Sequence, residues 1–236
     1  VLIMSCGPFD LDVGEEAPFS FSIIFGQNET DLINNARFAQ IMYNSHYQGY
    51  TPPAKPIVTA VPDDKKVTIL WTNNSELSKD VVTGYADFEG YKIYKSIDSG
   101  TNWGSVDKKI YDNNDIFVGW QPIAQFDLAA SEDSSHCIYD SENCAAGENR
   151  GRSISGPDPM QPWYSLGTDT GFEGIDTIAV IDGIEYNYYY VDTNVVNGMH
   201  YTYSVTAYDM GVEADFVINW VTDGNGGFNP DTVWSS

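Results

Sequence analysis

Apolar and polar residues alternate along most of this chain. Tyr201, Tyr203, Val205 and Ala207 alternate with Thr202, Ser204 and Thr206, a period of two that predicts a strand with one buried face. Its mix of Tyr, Val and Thr suits a pleated, half-buried surface. Asn197-Gly198 before it and Asp209-Met210-Gly211 after it read as turns. Similar patterns predict strands at Ile57 to Val61, at Val67, Ile69 and Trp71, over Phe88 to Ser96, within GWQPIAQFDL, over Ile184 to Asp192 and over Phe216 to Val221. The run Ile184 to Asp192 carries aromatics at both parities, so both of its faces should be covered. Many short strands separated by Gly, Asn and Asp predict a mainly β fold.

Two segments stand apart. Residues 1–26 read as two or three strands, with Phe19, Phe21, Ile23 and Phe25 set against Ser20, Ser22 and Ile24. So few strands do not hold a core alone, so they should finish an upstream sandwich or pair with another copy of the chain. Asn28 to about Tyr47 is the one helical pattern: Leu32, Ala36, Ala39, Tyr43 and Tyr47 share a face. Asn28 can cap this helix and Asp31 suits its first turn.

The domain organisation follows. Residues 1–50 form a partial β segment plus helix, and the Pro-rich stretch 51–56 is a stiff linker. Residues 57–222 form one sandwich, and 223–236 read as a loop-like tail. A sandwich of this kind needs roughly 100 residues, so about 97–182 reads as a long insertion.

Composition adds charge. The 236 residues carry 34 acidic and 11 basic side chains, a net −23. After Arg152 there is no Lys or Arg, while twelve Asp and Glu follow. Such a surface repels nucleic acid and anionic lipid, and no apolar run approaches the roughly 20 residues that span a bilayer. Calcium, a basic partner or a saline medium would suit it, as would a solvated face that maintains solubility.

Cys137 and Cys144 bracket a short polar loop and either bridge locally, leaving Cys6 over, or stand with it as three free thiols. The bridge goes with an extracellular setting. No signal peptide is visible: Val1 to Cys6 is only faintly like a lipoprotein cleavage box. The chain starts in mid-pattern without an initiator Met, as a piece of a longer protein would.

The stretch from Val195 to Ala207, V-x-N-x-M-x-Y-x-Y-x-V-x-A, resembles the penultimate strand of fibronectin type III domains, L-x-P-x-T-x-Y-x-x-x-V-x-A, with Asn197 and Met199 in place of Pro and Thr. The resemblance puts Tyr201 at the corner tyrosine, whose hydroxyl ties a loop to the sandwich, and Trp71 at the core tryptophan. GPFDLDVGEE and FSIIFG, then DLINNARFAQ, a Pro-Pro linker, VTILW and DFEGYKIYKSIDSG form an order similar to that of large secreted surface proteins of Ignavibacteria-like and Marinimicrobia-like bacteria. This implies export, a cell-surface or extracellular location, a multidomain setting and a non-catalytic role as a structural or adhesive module or filament subunit. The alternative is a carbohydrate-binding accessory module of a secreted hydrolase.

Catalytic motifs are absent from the sequence. His46, His136 and His200 lie far apart without recognisable partners, and no metalloprotease, hydrolase or phosphate-loop signature occurs. Asp223, Asn225 and Asp231 on a glycine-rich stretch offer hard oxygen ligands for calcium. Trp103 and Trp163, with Trp120, Trp220 and Trp234, fall in or beside predicted loops, where flat rings near Asp and Asn would suit a glycan. The competing reading of these tryptophans is packing of the insertion onto the sandwich.

Overall fold

The computed structural model describes residues 10–16, 20–44, 51–80, 84–133, 155–158, 161–210, 215–222 and 228–235. The chain divides into two units, Val1–Tyr47 and Gln48–Ser236.

The first unit holds helix α1 (Glu29–Asn44). Asn28 Oδ1 accepts the Asp31 N–H at 3.0 Å, while the Asp31 carboxylate accepts the Gln27 N–H at 2.7 Å. This reciprocal cap satisfies donors that a helix start leaves open. The face expected from the spacing is covered only at Ala39 among the described residues. Ile41 is buried and Ala39 and Met42 are half-buried, whereas Leu32, Ala36 and Tyr43 are exposed. The strand expected at Phe19 to Phe25 is also corrected: residues 20–26 carry no strand, and Phe21, Ile23 and Phe25 are 66%, 75% and 80% exposed. Alternation alone does not make a strand without a ladder partner, and the Phe25 carbonyl instead accepts the Asn35 side-chain amide at 2.9 Å.

The second unit is mainly β. In chain order its strands are β1 (Val58–Asp63), β2 (Lys66–Trp71), β3 (Phe88–Ser96), β4 (Lys109–Tyr111), β5 (Phe117–Trp120), β6 (Ala124–Asp127), β7 (Gly156–Pro157), β8 (Ser165–Gly167), β9 (Asp176–Ile181), β10 (Ile184–Asp192), β11 (Thr202–Asp209), β12 (Asp215–Thr222) and β13 (Phe228–Ser235). One antiparallel sheet has the order β1-β2-β10-β9 and a second has β11-β3-β6.

Side chains of both sheets meet in one core, as in a sandwich. Val67, Ile69 and Trp71 of β2 and Tyr188 of β10 pack with Phe88, Tyr91 and Ile93 of β3 and Val205 of β11. Trp71 is fully buried, its ring centroid 5.7 Å from Tyr91 and 5.8 Å from Tyr188. Glu76 accepts the Tyr188 hydroxyl at 2.7 Å and that of Tyr91 at 3.3 Å, which satisfies two phenols that would otherwise be costly to bury. β3 and β6 approach so closely at Gly90 that a Cβ there would collide with the Phe126 carbonyl and stand 2.8 Å from Asp127 Cα.

Three expectations are revised here. GWQPIAQFDL is two strands: β5 pairs with β4 and β6 with β3. The break falls at Pro122, which has no N–H to give a ladder. The span 97–182 is not wholly an insertion, because β6 and β9 within it each complete a main sheet. The stretch after Thr222 is not all loop, because β13 pairs along its length with β12, from Phe228 opposite Thr222 to Ser235 opposite Asp215. The Pro-rich stretch 51–56 is tied down: Ala54 exchanges hydrogen bonds with Ser75 and Ser78, and Pro56 is buried.

An aromatic cleft as the candidate binding site

Alternate residues of β3 face outward from the core. Lys92 and Tyr94 form the floor of a cleft of about 170 Å³. Gln125, beside them on β6, fixes that floor: its amide donates to the Tyr208 hydroxyl at 2.8 Å and the Leu166 carbonyl at 3.2 Å. The β4–β5 hairpin and its exit supply one wall, with Ile110, Trp120 and Gln121. The Gln121 N–H donates to the Lys108 carbonyl at 2.8 Å, which holds the exit against the hairpin. Trp120 packs edge-on against Phe117, centroids 5.3 Å apart, and Lys109 Nζ lies 5.2 Å from the Trp120 ring. Trp163, Tyr164 and Ser165, leading into β8, form the opposite wall. The two walls approach at Gly119, where a Cβ would stand 3.3 Å from the Tyr164 hydroxyl.

Lys92 is only 7% exposed. Its ammonium donates to the Ser165 carbonyl at 2.9 Å and lies 4.4 Å from the Tyr208 ring and 5.0 Å from the Tyr164 ring. Lys95 pairs with Asp192 at 2.8 Å, whereas Lys92 makes no ion pair among the described residues. Burial pushes its ammonium down to about 8, against the upward pull of Asp127. Burial likewise pushes the Tyr94 phenol up to about 12, with Tyr164 adding to it.

Asp127, fully buried at the end of β6, secures the wall from behind. One carboxylate oxygen accepts the Thr170 N–H and hydroxyl, each at 2.8 Å, and the other accepts the Thr168 N–H at 2.5 Å and the Tyr208 hydroxyl at 3.3 Å. Among the described residues, Trp71 Nε1 in the core and Trp163 Nε1 and Asp169 Oδ1 near this region are buried without a hydrogen-bond partner.

Of the tryptophans expected to bind glycan, Trp163 lines the cleft and Trp103 does not. Trp103 closes the turn after β3, its ring 3.4 Å from where a Cβ on Gly100 would sit. Asp98 holds that turn through the Asn102 N–H at 2.9 Å and the Ser96 hydroxyl at 2.7 Å, and its carboxyl is lowered to about 2 by Asn102 and then Ser96. Lys92, Tyr94 and Gln125 were missed in the sequence because they sit among core residues of strands. Lys92, set between Tyr91 and Ile93 in the middle of β3, was the available signal.

Tyr201 stands at the start of β11, and its hydroxyl accepts the Val196 N–H at 2.8 Å. Nearby, Asp192 accepts Lys95 Nζ and the Tyr203 hydroxyl, both at 2.8 Å. Of the calcium candidates, Asp231 sits in β13 opposite Asn219, while Asp223 and Asn225 lie outside the described residues. So do Cys6, Cys137 and Cys144, His46 and His136. Among the described residues no group of three His, Cys, Asp or Glu is placed to hold a metal ion, and no helix is long and apolar enough to cross a membrane. No family model, curated protein or solved structure matches the chain.

Proposed function

We propose that this chain is a non-catalytic structural or adhesive module of a secreted bacterial surface protein or extracellular filament, built on a fibronectin type III-like sandwich. One observation carries this reading. Taken in chain order, β1, β2, β3, β6, β9, β10 and β11 follow the succession A, B, C, C′, D, E, F of immunoglobulin-like sandwiches, with the A-B-E-D and C-F pairings of that architecture. The buried Trp71 and the Tyr201-to-Val196 bond fit the resemblance in the same places. The departure is at the last strand: among the described residues β12 pairs with β13 rather than with β11.

The exposed Phe21, Ile23 and Phe25 favour contact of residues 1–26 with a neighbouring domain or another copy, as apolar segments of this kind recruit partners. Antibodies against the chain should label intact cells that express the parent protein. Labelling that needs permeabilisation would contradict export and with it the surface role. The second reading, an accessory module of a secreted hydrolase, is favoured by the aromatic cleft.

A further inference from the structure

We propose that the cleft over β3 binds a single neutral hexose-type sugar ring, with its apolar faces against both Trp120 and Trp163 and its hydroxyls toward Lys92 and Gln121. The chemistry of the walls selects this class. A pyranose has a C–H face that packs on flat aromatic rings and an equatorial rim of hydroxyls that both donate and accept. The cleft offers aromatic rings on two walls and an ammonium at its floor, in a volume of about 170 Å³ that suits one ring rather than several.

Two polar groups at the site are under-used. An ammonium has three donors, and Lys92 gives one to the Ser165 carbonyl and makes no ion pair among the described residues. Trp163 Nε1 is buried without an acceptor among the described residues, and a buried donor left unmade costs more than an ordinary hydrogen bond returns. A hydroxyl oxygen in the cleft supplies an acceptor for the Lys92 ammonium. A cationic ligand is disfavoured, because Lys92 already occupies the space between the Tyr164 and Tyr208 rings. An acidic sugar is disfavoured by the net −23 of the chain. Mere packing of the 97–182 segment would leave no reason to line an open space with two tryptophans, and the core already has its own in Trp71.

The proposal does not depend on export. Binding in solution would survive a wrong localisation, and surface labelling would survive a failure to bind. The test uses the whole chain with glucose, galactose, mannose, N-acetylglucosamine and their β-linked tetramers. Ligand-observed NMR and tryptophan fluorescence read the binding, and circular dichroism checks the fold of each variant. At least one neutral sugar should bind saturably. Trp120→Ala and Trp163→Ala should each weaken it about tenfold, roughly the value of one aromatic contact. Lys92→Met should weaken it by a smaller factor, and Trp103→Ala should leave it unchanged. If Trp163→Ala does not fold, Trp120→Ala and Lys92→Met carry the test. The proposal is overturned if the folded chain binds none of these sugars, if binding survives both Trp120→Ala and Lys92→Met, or if glucuronate and galacturonate bind better than the neutral rings.

Discussion

Tyr91 and Ile93 of β3 join the core, while Lys92 and Tyr94, their immediate neighbours, line the outer cleft. The pleat sends alternate side chains to opposite faces, so one strand serves two environments built to different rules. The inner face is apolar and closed, built of ring contacts around Trp71. The outer face mixes rings with a buried ammonium and keeps open space. An inner residue is set by the volume that its neighbours leave, whereas an outer one is free to be chosen for what it can hold.

The inner face should break most severely. Trp71→Ala should cost about 3–5 kcal/mol in urea unfolding, the usual range for removing a buried aromatic. A loss under about 1 kcal/mol would mean that the two sheets do not share this core. Next comes the support behind the outer face. Asp127→Ala strips the Thr168 and Thr170 N–H groups of their acceptor, and at about 1–3 kcal/mol for each buried group left unpaired it should cost about 3 kcal/mol. Amide exchange at Thr168 and Thr170 should rise with it; unchanged protection there would remove Asp127 from the cleft wall.

The pH profile separates the faces without mutation. Lys92 titrates at about 8 when folded and near 10.5 when unfolded. Between those values the folded chain holds fewer protons, so stability should rise as pH climbs above 8. Tyr91, Tyr188 and Tyr208 are pushed the other way, above their ordinary 10.0, chiefly by burial. Their stabilisation is complete below pH 10 and is lost above it. Chemical denaturation across pH 7 to 11 should therefore show a maximum near 10, and Lys92→Met should flatten the rise while keeping the fall. A steady decline from pH 8 in the native chain would contradict the burial of Lys92.

The smallest effect belongs to the corner. Tyr201→Phe removes the acceptor of the Val196 N–H and should cost about 1 kcal/mol, read as a lowered denaturation midpoint with an unchanged slope. No loss at all would leave the corner without a role in stability.

These two faces were unequally legible in the sequence. Val67, Ile69 and Trp71 announce β2, and Phe88 to Ser96 marks β3 to the residue, because a period of two is written locally. The cleft is written nowhere locally: its floor is at 92–94, one wall at 110–121 and the other at 163–165. Only the pairing of β6 with β3 and the return of β8 bring them together. Trp103 and Trp163 looked alike as loop tryptophans, but the Asp98 turn claimed one of them for its own closure. Phe21, Ile23 and Phe25 mislead in the opposite sense, since their alternation is that of a strand while residues 20–26 carry no strand.

The division of β3 into a holding face and a binding face is tested most directly by comparing two neighbours on it. Lys92→Met and Ile93→Ala should be unfolded in urea side by side at pH 7. A buried lysine without an ion pair contributes little to stability, and an apolar replacement of similar length is often neutral or stabilising, so Lys92→Met should leave the midpoint unchanged or raise it. Ile93→Ala should lower stability by about 2–5 kcal/mol. Equal destabilisation by the two variants would show that the outer face is core, and would contradict the account.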